Sequence, residues 1–309
     1  MKVSKAHLRG ATGLLTLVGC TVCLAIPPDP RLLSLVPPDS QIVAGAAARS
    51  GDRNRGNFLF FTRANTLDLV DFFSIVGVDA SRKIDQIIFA ASAPGGRYTS
   101  LEHSVLVGGD FDVKRIYMSA QSTSMTTDYR GVRVLVVHPF QRERTFLNQD
   151  RWFAIIDSHL AIFGTVSSAQ REIARFLAGA TPDDLIVKRL SALRSADDTW
   201  CLVSSLAFGA DISRVLKDLD PAFVNVDEMS DTILFGIKYG REVEFEYVVN
   251  ALPEVDSVMS PPARMSFKPP NSGFLFTRDS ASRSGSGSPR VVKIPRARYD
   301  KWLAGLTQH

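Results

Sequence analysis

The residues best suited to chemistry are three arginines, Arg142, Arg144 and Arg151, which follow Pro139-Phe140 in a loop expected between two buried strands. A guanidinium presents a planar fork of donors that matches carboxylate or phosphate, and loops on rigid scaffolds carry function disproportionately. The cluster is therefore the expected ligand-binding site, for an anionic component, although a solvated polar connection would have the same composition.

Other reactive types are scattered. His103, His138 and His159 stand singly in strand-like runs, whereas a metal site needs converging ligands at helical or turn spacing. No metal and no cofactor is expected. Glu242, Glu244 and Glu246 alternate along one strand about 7 Å apart, which places them on one face and reads as a solvated row. Cys201, within Thr-Trp-Cys-Leu-Val, has no base beside it and reads as a small buried hydrophobe. No Gly-x-Ser-x-Gly elbow, Ser-x-x-Lys, His-Glu-x-x-His or phosphate-loop motif occurs. No catalytic residue is assigned.

The elements that would position these groups are legible from periodicity. Apolar runs at 152–156 and 160–163 flank Asp157-Ser158-His159, too short for helices and bounded by turn formers, so they predict a strand pair buried on both faces. Ser167 and Gln170 have capping-box spacing. Ala169, Ile173, Phe176 and Leu177 then recur on one face of a helix that must lie on that sheet. Further strands are expected over 41–48, 84–93, 103–107, 131–138 and 199–206, with a hairpin of 232–239 and 242–249 around Gly240-Arg241. Helices are expected from Asn65 or Thr66, over 182–193 with Leu185, Leu190 and Leu193 inward, and from Asp211. Residues 119–127 read as a Ser/Thr-rich loop. Val291 onward reads as a short strand and a terminal turn carrying Tyr299, Trp302 and Leu303.

Gly108-Gly109-Asp110-Phe111-Asp112 resembles the Gly-Gly-Asp/Glu-Glu-Phe loop of diguanylate cyclases. The fourth-position Glu is missing and no metal-binding carboxylate pattern precedes it. The local reading is an N-cap at Asp112 with Phe111 and Ile116 as a hydrophobic staple.

The chain has 309 residues, 45% hydrophobic and 22% charged, enough to bury a sizeable core. From Arg264 onward nine Lys or Arg stand against Asp279 and Asp300, a net of +7, which leaves −3 on the preceding residues out of +4 overall. A basic tail on a mildly acidic body points to an anionic surface and away from nucleic acid. Of three cysteines only Cys201 lies in the body, so no internal disulfide is expected there.

Lys2, Lys5 and Arg9 precede the uncharged residues 11–26, closed by Pro27-Pro28-Asp29-Pro30. That is the plan of an export signal. As a helix, residues 11–26 would span roughly 24 Å, short of a ~30 Å hydrocarbon core. Leu17-Val18-Gly19-Cys20 resembles the lipobox of bacterial lipoproteins, and that resemblance implies acylation at Cys20. Cleavage after Ala25 and an uncleaved anchor are the competing outcomes.

Strand, helix and hairpin follow one another near 41–107 and again near 199–249, which reads as an internal duplication. The expected organisation is an export signal or anchor (1–26), a first α+β module (27–180), a shorter second module (181–252), a Pro/Ser/Gly-rich linker (253–290) and a basic tail (291–309). The expected fold class is α+β, with mostly antiparallel sheets and helices packed on one face. This arrangement, with the helix start at Gly109–Asp112, is similar to uncharacterised bacterial secreted proteins of duplicated α+β modules, a resemblance that implies no activity. The expected role is an exported cell-envelope protein, extracytoplasmic and held to the membrane through its N-terminus. It would bind or help assemble a protein partner or an anionic envelope component without catalysis. The alternative is an extracytoplasmic hydrolase whose site forms only in three dimensions.

Overall fold

The fold is that of a computed structural model, which describes residues 28–47, 83–92, 102–121, 124–137, 150–193, 198–204, 216–217, 219–221, 223, 232–249 and 289–306. The export segment with Cys20, the helix expected from Asn65, and Arg142, Arg144 and His138 lie outside the described residues; of the helix expected from Asp211 only Leu216, Lys217 and Leu219 are described, and they are helical.

Among the described residues eleven strands form one antiparallel sheet. In chain order they are β1 (Ile42–Ala47), β2 (Ile84–Ser92), β3 (Glu102–Gly109), β4 (Met125–Tyr129), β5 (Val132–Val137), β6 (Arg151–Asp157), β7 (Leu160–Thr165), β8 (Thr199–Val203), β9 (Ile233–Tyr239), β10 (Glu242–Val249) and β11 (Arg290–Pro295). In space the order is β11-β10-β9-β8-β1-β2-β3-β7-β6-β5-β4. The fold is therefore α+β and antiparallel, as the sequence predicts. The order reads alike outward from the central β1/β8 pair: each has its hairpin beside it, β2-β3 on one side and β9-β10 on the other. The sheet runs unbroken past residue 180, because β1 pairs with both β2 and β8. Trp200 lies across Gly45, its partner on β1, where any Cβ would overlap the indole.

The helices are α1 (Pro30–Leu35), α2 (Val113–Ala120), α3 (Val166–Leu177), α4 (Asp184–Leu190) and α5 (Arg296–Leu306). They cover both faces of the sheet, not one. Strands such as β7, buried at every position, have no wet face to offer. On one face Leu32, Leu33 and Leu35 of α1, Ala169 and Ile173 of α3 and Ile186 of α4 pack on Val43, Ile88, Leu106, Ala154 and Ile162. On the other, Phe111 with Ile116 and Ala120 of α2 packs on Phe89, Val105, Val107, Phe153 and Phe163. Farther along that second face Phe223 and Tyr299 of α5 pack on Val203, Ile237, Phe245 and Tyr247. Each such large apolar side chain is worth about 1.5–3 kcal/mol when fully buried.

Local chemistry sets the helix starts. Asp112 caps α2 by accepting from Arg115 N at 3.0 Å, and Phe111 and Ile116 are both buried, which is the expected staple. α3 departs from expectation. Its N-cap is Thr165, whose hydroxyl accepts from Ser168 N, so Ser167 and Gln170 do not form the capping box. Its buried face is Ser168, Ala169, Glu172 and Ile173, while Phe176 and Leu177 are 38% and 48% exposed. In α4, Asp183 accepts from Leu185 N and Ile186 N, and this phase turns Ile186 inward and leaves Leu185 exposed.

The end of the stretch 119–127 read as a loop is a strand, and the short strand expected from Val291 is present, followed by a helix in place of the expected terminal turn. Residues 125–129 form β4, joined to β5 by Arg130 and Gly131 at φ 53° and 83°, the left-handed pair that a two-residue hairpin turn needs. Residues 290–306 form β11 on β10 and then α5, with Tyr299 buried.

Candidate functional site

The arginine cluster is not a surface site at Arg151. That residue opens β6, paired with Val137 on β5 and Thr165 on β7, and is 1% exposed. Strand alternation puts it on the same face as Phe153 and Ile155, within the sheet's packing. A guanidinium removed from water in this way serves the fold and not a solvent-borne anion.

His103 and His159 sit in different surroundings. His103 stacks on Phe89 with ring centroids 6.1 Å apart. His159 lies in the β6–β7 turn, where its Nδ1–H donates to the Gly109 carbonyl at 3.0 Å while Gly109 N–H donates back to the His159 carbonyl at 3.0 Å. Phe111 N–H donates to Ser158 O at 2.7 Å, and Asp110 pairs with Lys83 at 2.8 Å. The Gly-Gly-Asp segment is thus docked on a neighbouring turn and shapes the start of α2. Cys201 is buried, and burial pushes its thiol up to about 12, far from a nucleophile.

The glutamate row is not uniformly solvated. Glu242 is exposed, Glu244 pairs with Lys293 of β11 at 2.9 Å, and Glu246 is 3% exposed on the α3 side of the sheet.

One buried polar pair was hidden from the sequence. Glu172 of α3 is 0% exposed, and Ser104 of β3 donates its hydroxyl hydrogen to Glu172 Oε1. Among the described residues Oε2 has no hydrogen-bond partner. Burial pushes the carboxyl up to about 8, and the Ser104 bond with Arg171 and Arg175 nearby offsets only part of that. The group is a neutral acid at pH 7, sealed between helix and sheet with no opening for a substrate. A helical phase that includes Ser168 and Ala169 with Glu172 would have been the signal for it.

An open concavity lies elsewhere, between α2 and the sheet. Val113, Met118 and Ile155 line a groove of roughly 500 Å³ together with Lys114, Tyr117, Gln121 and Arg133. Its charged members are both cationic. Tyr117 OH donates to Arg133 O at 2.7 Å, and the Arg133 guanidinium sits 5.5 Å from the Tyr117 ring, so the aromatic wall and the cation are held together. Met118 is 55% exposed at the rim. Apolar walls with a few fixed cations suit an anionic amphiphile or the anionic edge of a partner.

Among the described residues no three His, Cys, Asp or Glu side chains meet to hold a metal, and no helix is long and apolar enough to cross a membrane. No family model matches this chain, and no curated protein matches it. The crystal form I structure of TP0453 is similar to it at a TM-score of 0.48 and 10% identity, covering 90% of this chain and 97% of that one, a likeness that carries nothing about function.

Proposed function

We propose that this chain is an exported, non-catalytic cell-envelope protein that binds an anionic envelope component in the groove under α2. The observation that supports this reading is the groove's make-up: Lys114 and Arg133 flank the exposed Met118 and the half-buried Val113, with the buried Ile155 as its floor. The export plan of residues 1–26 and lipidation at Cys20 accompany this reading, and with them a location outside the cytoplasm.

Titration calorimetry with dihexanoyl phosphatidylglycerol below its micelle concentration tests it, with dihexanoyl phosphatidylcholine as the neutral counterpart. The anionic lipid should bind more tightly. The Lys114→Glu/Arg133→Glu variant should lose about tenfold in affinity, equivalent to ~1.4 kcal/mol. Equal binding of the two headgroups, or no change on charge reversal, rejects the proposal.

A further inference from the structure

The two edges of the sheet differ in kind. β11 carries Arg290, Lys293 and Pro295, and charges and proline are the usual guards against edge pairing. β4 at the other edge is Met-Thr-Thr-Asp-Tyr, with neither Lys nor Pro, and among the described residues no strand pairs with its outer side. Met125 is 67% exposed there.

The hairpin fixes which groups face out. With a two-residue turn, Tyr129 and Val132 exchange both backbone bonds, and pairs of this kind alternate along an antiparallel ladder. Met125, Thr127 and Tyr129 therefore spend their backbone groups on β5. Thr126 and Asp128 direct theirs outward.

We infer that β4 pairs antiparallel with β4 of a second copy of this chain, about a two-fold axis at Thr127. The register that overlaps the whole strand has that centre, and it sets Thr126 opposite Asp128 of the second copy and the reverse. Those are the residues with outward N–H and C=O groups, so both pairs close their bonds. The side chains match as well. A Thr126 hydroxyl faces an Asp128 carboxylate instead of a like charge, and the exposed Met125 faces the ring of Tyr129, a thioether–aromatic pair. Tyr129 is already held in place by Trp152, 5.6 Å between ring centroids, so the ring is presented without further ordering. The strand is self-complementary, as an isologous interface requires. The product is one sheet continuous through both copies.

Sedimentation velocity of the full chain in mild detergent, over a dilution series, tests this. A reversible dimer is expected. Thr127→Lys brings like charges together on the axis, where Cα atoms sit ~4.5 Å apart, and Thr126→Pro deletes an outward N–H. Each should weaken the dimer more than about tenfold while the melting temperature of the monomer stays near that of the parent. If Thr126→Pro disturbs the hairpin, Thr127→Lys at its partly exposed position still decides the matter. Amide exchange at Thr126 and Asp128 should slow as concentration rises. A monomer throughout, a dimer indifferent to Thr127→Lys, or exchange at these amides independent of concentration overturns the inference.

Discussion

Ser104 on β3 and Glu172 on α3, 68 residues apart in the chain, meet where helix and sheet close on each other, the serine hydroxyl donating to Glu172 Oε1. The helix reaches this spot because Thr165 caps it directly at the end of β7, so no linker separates strand from helix. The carboxyl holds a proton to about pH 8 in the folded chain and gives it up near its usual 4.5 when unfolded. The folded state therefore binds more protons between these values, and stability falls as pH rises through that window.

The slope should approach about 1.4 kcal/mol per pH unit at its steepest. Glu172→Gln keeps an acceptor for Ser104 and cannot ionise, so it should be as stable as the parent near pH 4 and more stable near pH 8. Urea midpoints from pH 4 to 9 check this. Parallel profiles for the two chains would show that Glu172 does not control the dependence.

Arg151 and Arg133 separate structure from surface within one residue type. Arg151→Ala empties a site 1% exposed inside the packing of β5, β6 and β7 and should destabilise by at least about 2 kcal/mol. Arg133→Ala acts on an exposed side chain and should stay within about 1 kcal/mol. Thermal unfolding of both variants checks the contrast, and equal small losses would return Arg151 to the surface.

Removing residues 290–309 should expose β10 and the cluster beneath α5. Ile294 is buried, and the buried Tyr299 lies 5.8 Å from the Tyr239 ring and 5.9 Å from that of Phe245, with Tyr239 and Tyr299 hydroxyls 3.2 Å apart. Losing these two side chains alone removes roughly 3–6 kcal/mol of apolar burial. Calorimetry should show a lower melting temperature, and light scattering should show association through the bared strand. An unchanged melting temperature would mean that this segment is an appendage.

The strands were largely readable because both faces are buried, so β2, β3, β6, β7, β8 and the β9–β10 hairpin appear as apolar runs between turn formers. What the sequence concealed depends on long-range pairing. Glu172 is polar in any hydropathy pattern, and only Ser104 and the cap at Thr165 explain its burial. Arg151 resembles its neighbours Arg142 and Arg144 in composition, yet the register with Val137 and Thr165 places it in the sheet. β4 has strand formers in Thr126, Thr127 and Tyr129 but little apolar alternation, and it becomes a strand through β5 and the left-handed turn at Arg130-Gly131. Nothing in the spacing of Lys114, Tyr117 and Arg133 marks a groove, since α2 and β5 meet there through the Tyr117 hydroxyl, the Arg133 carbonyl and the ring–guanidinium contact.

Ile42 pairs with Ala91 on one side of β1 and with Val203 on the other. A strand made early thus waits for one made more than half a chain later before its second row of bonds can close. Loop closure over that span is slow compared with forming a local hairpin. Until β8 arrives β1 stands as a temporary border of the sheet. A chain stopped short of Thr199 would keep that border permanently.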